Sequence, residues 1–178
     1  IELISIGMVD ENNREYYAIC KDFDVKCAFE NDWLRENVLK PLFYEMFQKL
    51  PIYEKNHHSD HIKFSVKGLK ILLKKFGLTK NEIAEEIVEF IYGDNKQADG
   101  ITSLETAQKY DTNHPLLKPE FYAYYADYDW VTFSWLFGRM IDLPKGFPMY
   151  CRDLKQLLDE LCEWNRFDLE EIKQSDNY

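Results

Sequence analysis

No stretch of this 178-residue sequence approaches the roughly 18 consecutive apolar residues that a membrane span requires, so no membrane is expected among its partners. Its first residues, Ile1 to Asn13, lack the basic lead and small-residue cleavage site of a secretory signal. Cysteine is sparse. Cys20, Cys27, Cys151 and Cys162 are enough for two disulfides, but none stand at the C-x-x-C spacing of a metal clip. A chain this long and this apolar needs no staples, so reduced thiols in a cytoplasm (of a bacterium or a phage-infected cell) are the expectation. Positive charge is also short. There are 22 Lys and Arg against 32 Asp and Glu, a net charge of −10, which argues against a broad basic face that coats nucleic acid. It leaves room for an enzyme that grips one strand end through metal ions and needs only a local basic patch. Internal repeats and low-complexity segments are absent.

Core material, by contrast, is abundant. Hydrophobic residues make up 46% and aromatics 16% of the chain, which suits one domain with a sizeable core and rules out disorder as the main content. Leu3–Val9 is a short, largely apolar run, Asp10–Asn13 a polar turn, and Glu15–Cys20 a second run of strand-forming residues, so a hairpin is expected. Helices follow. Asn31 or Asp32 can cap a segment whose Leu34, Val38 and Leu42 share a face, with Pro41 splitting or kinking it, and Phe43, Met46, Phe47 and Leu50 continue the stripe. Ser65 caps a helix through Leu69, Leu72, Leu73 and Phe76 that Gly77 ends. Thr79 and Glu82 form the capping box of the next, whose face is Ile83, Ile87, Phe90 and Ile91, with Gly93 as its stop. Residues 51–64 and 94–118 read as loops.

The later part alternates strand and helix. Glu120–Ala126 reads as a strand, Asp129 as the opening of a helix carrying Val131, Phe133, Trp135, Leu136 and Met140, Leu143–Pro148 as a turn, Met149–Cys151 as a short strand, and Leu154–Trp164 as a helix. The order indicates an α/β domain with a mixed sheet flanked by helices.

Chemistry concentrates at Tyr125-Ala126-Asp127-Tyr128-Asp129-Trp130-Val131. Two carboxylates fall where a strand gives way to a helix, and ligands of open α/β sheets gather at the carboxyl ends of strands. Carboxylate oxygens suit hard cations such as Mg²⁺ and Mn²⁺. The plainer reading is that Asp127 or Asp129 caps the helix.

At this point the sequence resembles a known family. Ile4-Ser5-Ile6-Gly7 is similar to the strand after the first acidic motif of DEDD-type exonucleases of the RNase H-like fold. Tyr128-Asp129, with Phe133 four residues on, resembles their second motif, in which an aromatic precedes a metal-binding Asp. The runs FYAYYADYDWV, WLFGRM, LPKGFPMYCRDLKQ, IELISIG, EYYAI and WLRENVLKP resemble a small bacterial and phage branch of 3′–5′ exoribonucleases. The resemblance covers both ends of the chain and is loosest over residues 51–118. It implies one RNase H-like exonuclease domain over residues 1–178, incomplete at both ends, with a helical insertion at about 31–93. The first strand and last helix are expected to be missing.

The resemblance also implies a role for Asp129 as catalytic metal ligand, with Asp127 supporting it from behind or capping the helix. In that branch an Asp-x-Glu motif precedes the position of Ile1, and a His and an Asp follow in a last helix. Glu2, on the next strand, does not replace them. The implied cofactors are two Mg²⁺ or Mn²⁺ ions about 4 Å apart that clamp the scissile phosphate and activate water. The implied partner is the 3′ end of a single-stranded or overhanging RNA, with DNA a possible substitute. An unprotected strand Leu3–Val9 would favour homo-oligomers. The competing expectation is an inactive binding module with the same fold.

Other residues are weighed more lightly. Lys145, Arg139 and Arg152, in or near the resembling turn, are candidates for phosphate contact, or surface residues. Tyr122, Tyr124, Tyr125, Trp130 and Trp135 can stack on bases, but alternation along a strand places such rings in the core, with Trp130 the best exception. His57-His58-Ser59-Asp60-His61 reads as a solvated loop before it reads as a metal cluster, and Glu163, Asp168, Glu170 and Glu171 as a solvated face.

Overall fold

The computed structural model describes residues 2–52, 62–92 and 118–165. The histidine loop, the expected Gly93 stop, the segment 94–117 and the acidic run after residue 165 lie outside the described residues. The chain divides into two compact units, Glu2–Phe90 and a second that begins at Ile91.

In the first unit, β1 (Ser5–Val9) and β2 (Glu15–Ile19) form the expected antiparallel hairpin, with Ser5 opposite Ile19 and Val9 opposite Glu15. Asp10 builds the turn: one carboxylate oxygen accepts the Asn12 and Arg14 amides at 2.9 and 2.8 Å, and the other takes Arg14 Nε at 2.6 Å. A short helix, α1 (Val25–Glu30), was not legible in the sequence pattern; Asp24 starts it by accepting the Lys26 and Cys27 amides. Asn31 caps α2 (Asp32–Leu34), as expected.

Pro41 neither splits nor ends the helix that follows. The chain widens into a π-helical stretch, Arg35–Leu39, and continues as α3 (Lys40–Gln48). An extra residue per turn just before proline accommodates the missing N–H and the ring's clash with the preceding turn.

Ser65 and Gly77 bound α4 (Val66–Phe76), and the Ser65 hydroxyl accepts the Gly68 amide at 3.1 Å. Gly68 is required by close approach, since a Cβ there would lie 2.1 Å from the Lys63 carbonyl oxygen. The Thr79–Glu82 box opens α5 (Lys80–Tyr92), with Thr79 N donating to Glu82 at 2.6 Å and Glu82 N to Thr79 Oγ1 at 3.2 Å. Helices α1, α3 and α4 close over one core, in which Leu39, Met46, Leu69 and Leu72 are fully buried.

The second unit is a strand–helix–strand–helix. β3 (Tyr122–Ala123) leads to α6 (Ala126–Ser134), and β4 (Arg152–Asp153) leads directly to α7 (Leu154–Asn165). The strands are parallel, Tyr122 beside Arg152 and Ala123 beside Asp153. Between them the chain makes a 3₁₀ turn, Met140–Asp142, and a turn in which Phe147 N reaches Pro144 O with Gly146 at φ 98°.

The α/β class holds. In place of one mixed sheet, the described residues carry two two-stranded sheets, one antiparallel and one parallel. Two boundaries also move. The strand expected over Glu120–Ala126 is two residues long, because the chain turns at Tyr124–Tyr125 and α6 begins three residues before Asp129. The strand expected at Met149–Cys151 falls instead at Arg152–Asp153. All four cysteines are free, Cys20 being buried. Among the described residues no helix is long and apolar enough to cross a membrane.

Candidate active site at the ends of two parallel strands

Parallel pairing puts the carboxyl ends of β3 and β4 side by side, and both following helices start there. This is the end at which open α/β sheets gather their ligands. Tyr125 makes the turn into α6 in a left-handed conformation, φ 58° and ψ 53°, which an aromatic residue adopts only at a cost. No side chain of α6's own N-cap residue satisfies the first amides.

Asp153 does so from the neighbouring strand. Its Oδ2 accepts the Ala126 amide at 3.0 Å across 27 residues of chain. Its Oδ1 accepts the Lys155 amide at 2.7 Å and the Gln156 amide at 3.4 Å, capping α7. One carboxylate therefore caps two helices. Burial alone would raise its pKa, but the amides of Lys155, Ala126, Gln156 and Tyr125 together hold it below the usual carboxylate value. Sequence reasoning passed over Asp153. The only available signal was an Asp directly before a helix, in Arg152-Asp153-Leu154-Lys155.

Asp127 and Asp129 both lie in the first turn of α6 and both are exposed. The cap that either might have supplied is made by Asp153. The Asp129 carboxylate forms no hydrogen bond or ion pair to another described residue. It lies within electrostatic reach of Cys151: burial first, then the Asp153 and Asp129 charges, push that thiol's pKa up.

The aromatic expectation is reversed. Trp130, the best stacking candidate, is buried at 8% exposure, while Tyr122, Tyr124, Tyr125 and Trp135, expected inside, are more than half exposed. The early start of α6 is the cause. It places Trp130 and Phe133 on one helical face, stacked at 5.0 Å and 15°. Phe121 packs on both rings at 5.2 and 5.1 Å, and Phe147 and Phe137 complete the cluster. The indole Nε1 donates to Met149 O at 3.4 Å.

The basic candidates stand apart in their commitments. Arg139 is bound in a fork by Asp142 of its own turn, at 3.0 and 3.2 Å. Arg152 pairs with Glu120 at 3.4 Å and lies 5.9 Å from the centre of the Tyr122 ring. Lys145 is exposed and forms no ion pair with a described residue.

A pair of divalent ions needs several carboxylates. Asp153 has spent its oxygens on amides, and among the described residues no group of three or more His, Cys, Asp or Glu is gathered for a metal. The described residues alone therefore do not fit a two-ion centre; only Asp127 and Asp129, both in the first turn of α6, are exposed and uncommitted there.

The site thus defines a strand–helix–strand–helix unit presenting two exposed carboxylates, Asp127 and Asp129, at the ends of two parallel strands. A chain so built is similar to two 3′–5′ exoribonucleases of Mycobacterium tuberculosis, from strains CDC 1551 / Oshkosh and ATCC 25618 / H37Rv. Each is 28% identical over 160 residues, which is 90% of this chain and 66% of the relative. The chain therefore spans just under two thirds of the length of these curated relatives. No family model matches it.

Proposed function

We propose that this chain belongs to a 3′–5′ exoribonuclease. The observation that carries the reading is the similarity over 90% of the chain to the two mycobacterial enzymes of that name, a span that includes Asp129 and Asp153. The residue resemblance supports a DEDD-type, RNase H-like catalytic domain in which Asp129 is a metal ligand. In that reading a divalent ion, Mg²⁺ or Mn²⁺, would supply charge stabilisation and water activation once ligands beyond the described residues completed its site. Asp129 would hold it from the first turn of α6, with Asp127 as a neighbouring, supporting carboxylate. Lys145, the basic candidate with no ion pair to a described residue, is the first choice for a phosphate contact; Arg139 and Arg152 would have to leave Asp142 and Glu120 to serve. The substrate is an RNA 3′ end, in a cytoplasmic setting.

A second reading, a binding module of the same kind without turnover, is favoured by the lack of a carboxylate cluster among the described residues. End-labelled RNA incubated with the full-length protein separates the two. Stepwise shortening from the 3′ end that EDTA stops supports the nuclease, whereas RNA retention without shortening supports the module. Shortening that continues in EDTA removes the metal mechanism.

A further inference from the structure

We infer that Asp153 is a positioning residue for Asp129, an inference that rests on the exoribonuclease reading. Asp129 sits in the first turn of α6, and the direction of that turn is set by two things. One is the left-handed Tyr125 that precedes it; the other is whatever holds the Ala126 amide. A non-glycine residue in that conformation persists only where its surroundings over-determine it. Here the over-determining group is the Asp153 carboxylate, which binds the α6 amide with one oxygen and the α7 amides with the other.

The helix could have capped itself with a side chain at position 125. Capping from β4 instead means that the start of α6 is registered against the sheet rather than against its own sequence. Strand pairing of Ala123 with Asp153 sets how far that carboxylate reaches. The chain thus holds a free, exposed carboxylate on a turn pinned by a fully committed one. Those are the two jobs that a ligand and its support divide between them.

The test uses Asp153→Asn, which keeps the shape but has one acceptor oxygen for two helix ends, and Asp153→Ser, which retains an N-cap for α7 but is too short for Ala126. Ser65→Ala, a lost cap in the first unit, is the stability control. In the full-length protein both Asp153 variants should lower kcat on RNA by about tenfold to a hundredfold with KM within about twofold, the size of effect that a misplacement near 1 Å produces. Ser65→Ala should lower the melting temperature comparably and leave kcat unchanged. Amide exchange should lose protection at Ala126 in both Asp153 variants. A kcat within twofold of wild type in Asp153→Asn, with the Ala126 amide unprotected, overturns the inference. If the unmutated full-length protein does not shorten RNA, the functional reading fails instead. Exchange then decides alone: protection unchanged over Ala126–Asp129 in both variants overturns positioning, and its loss there supports it.

Discussion

Asp129 and Asp127 lie two residues apart on one exposed helical turn, yet the proposed roles differ, so substitution separates them. Asp129→Asn should abolish RNA shortening while the melting temperature stays near wild type, because the carboxylate makes no hydrogen bond to a described residue. Asp127→Asn should reduce turnover less. Near-normal turnover in Asp129→Asn would disprove the ligand assignment. Two other positions carry packing. Phe133 stacks on Trp130 and touches Phe121, Phe137 and Phe147, so Phe133→Ala should cost about 3–5 kcal/mol in urea unfolding. Gly68→Ala pushes a methyl against the Lys63 carbonyl and the Phe43 ring and should cost about 1–3 kcal/mol.

Helix ends govern the next scale, and they make stability depend on pH. In the box that opens α5, the Thr79 amide, the Thr79 hydroxyl and then Lys21 draw the Glu82 pKa from 4.5 down to about 2. A carboxylate whose folded pKa is depressed stabilises fully above its unfolded pKa and loses that contribution as pH falls through the folded one. Asp10, Asp153 and Asp142 shift the same way, each held down by amides or an arginine against the opposing effect of burial. Melting temperature should therefore be flat from pH 7 to about 5 and fall between about 4.5 and 2. Glu82→Gln should start lower at pH 7 and lose less across that window. A parallel curve for Glu82→Gln would mean that the box contributes nothing to the acid transition.

For the whole molecule, charge and ligand count decide what is testable. A net charge of −10 works against broad electrostatic binding of RNA, so RNA affinity should depend on divalent metal more than on salt. The 178-residue chain should bind Mn²⁺ only weakly in calorimetry, because the described residues gather no group of three or more ligands, too few for a tightly held pair of ions. Tight binding of two ions by this chain would show that residues outside the described set complete the centre.

Features that depend on neighbours in the chain were open to reading from the sequence alone. The hairpin around Asp10, the Asn31 and Ser65 caps, the Thr79–Glu82 box and the Gly77 stop each involve residues a few positions apart, where local hydrogen bonding decides the outcome. The α/β class and the placing of Asp129 beside a strand end follow from the same local patterns. What the tertiary structure decided is non-local. The first amide of α6 is held by a carboxylate 27 residues away, and with the helix starting at Ala126, β3 is short, Tyr124 and Tyr125 face outward and Trp130 is buried. Proline's effect at position 41 was read as a split or a kink, and the folded chain instead widens before it while Leu39 and Leu42 pack into one core. A pattern of residue types states which faces are apolar; it does not state where a helix begins when the group that begins it lies on another strand.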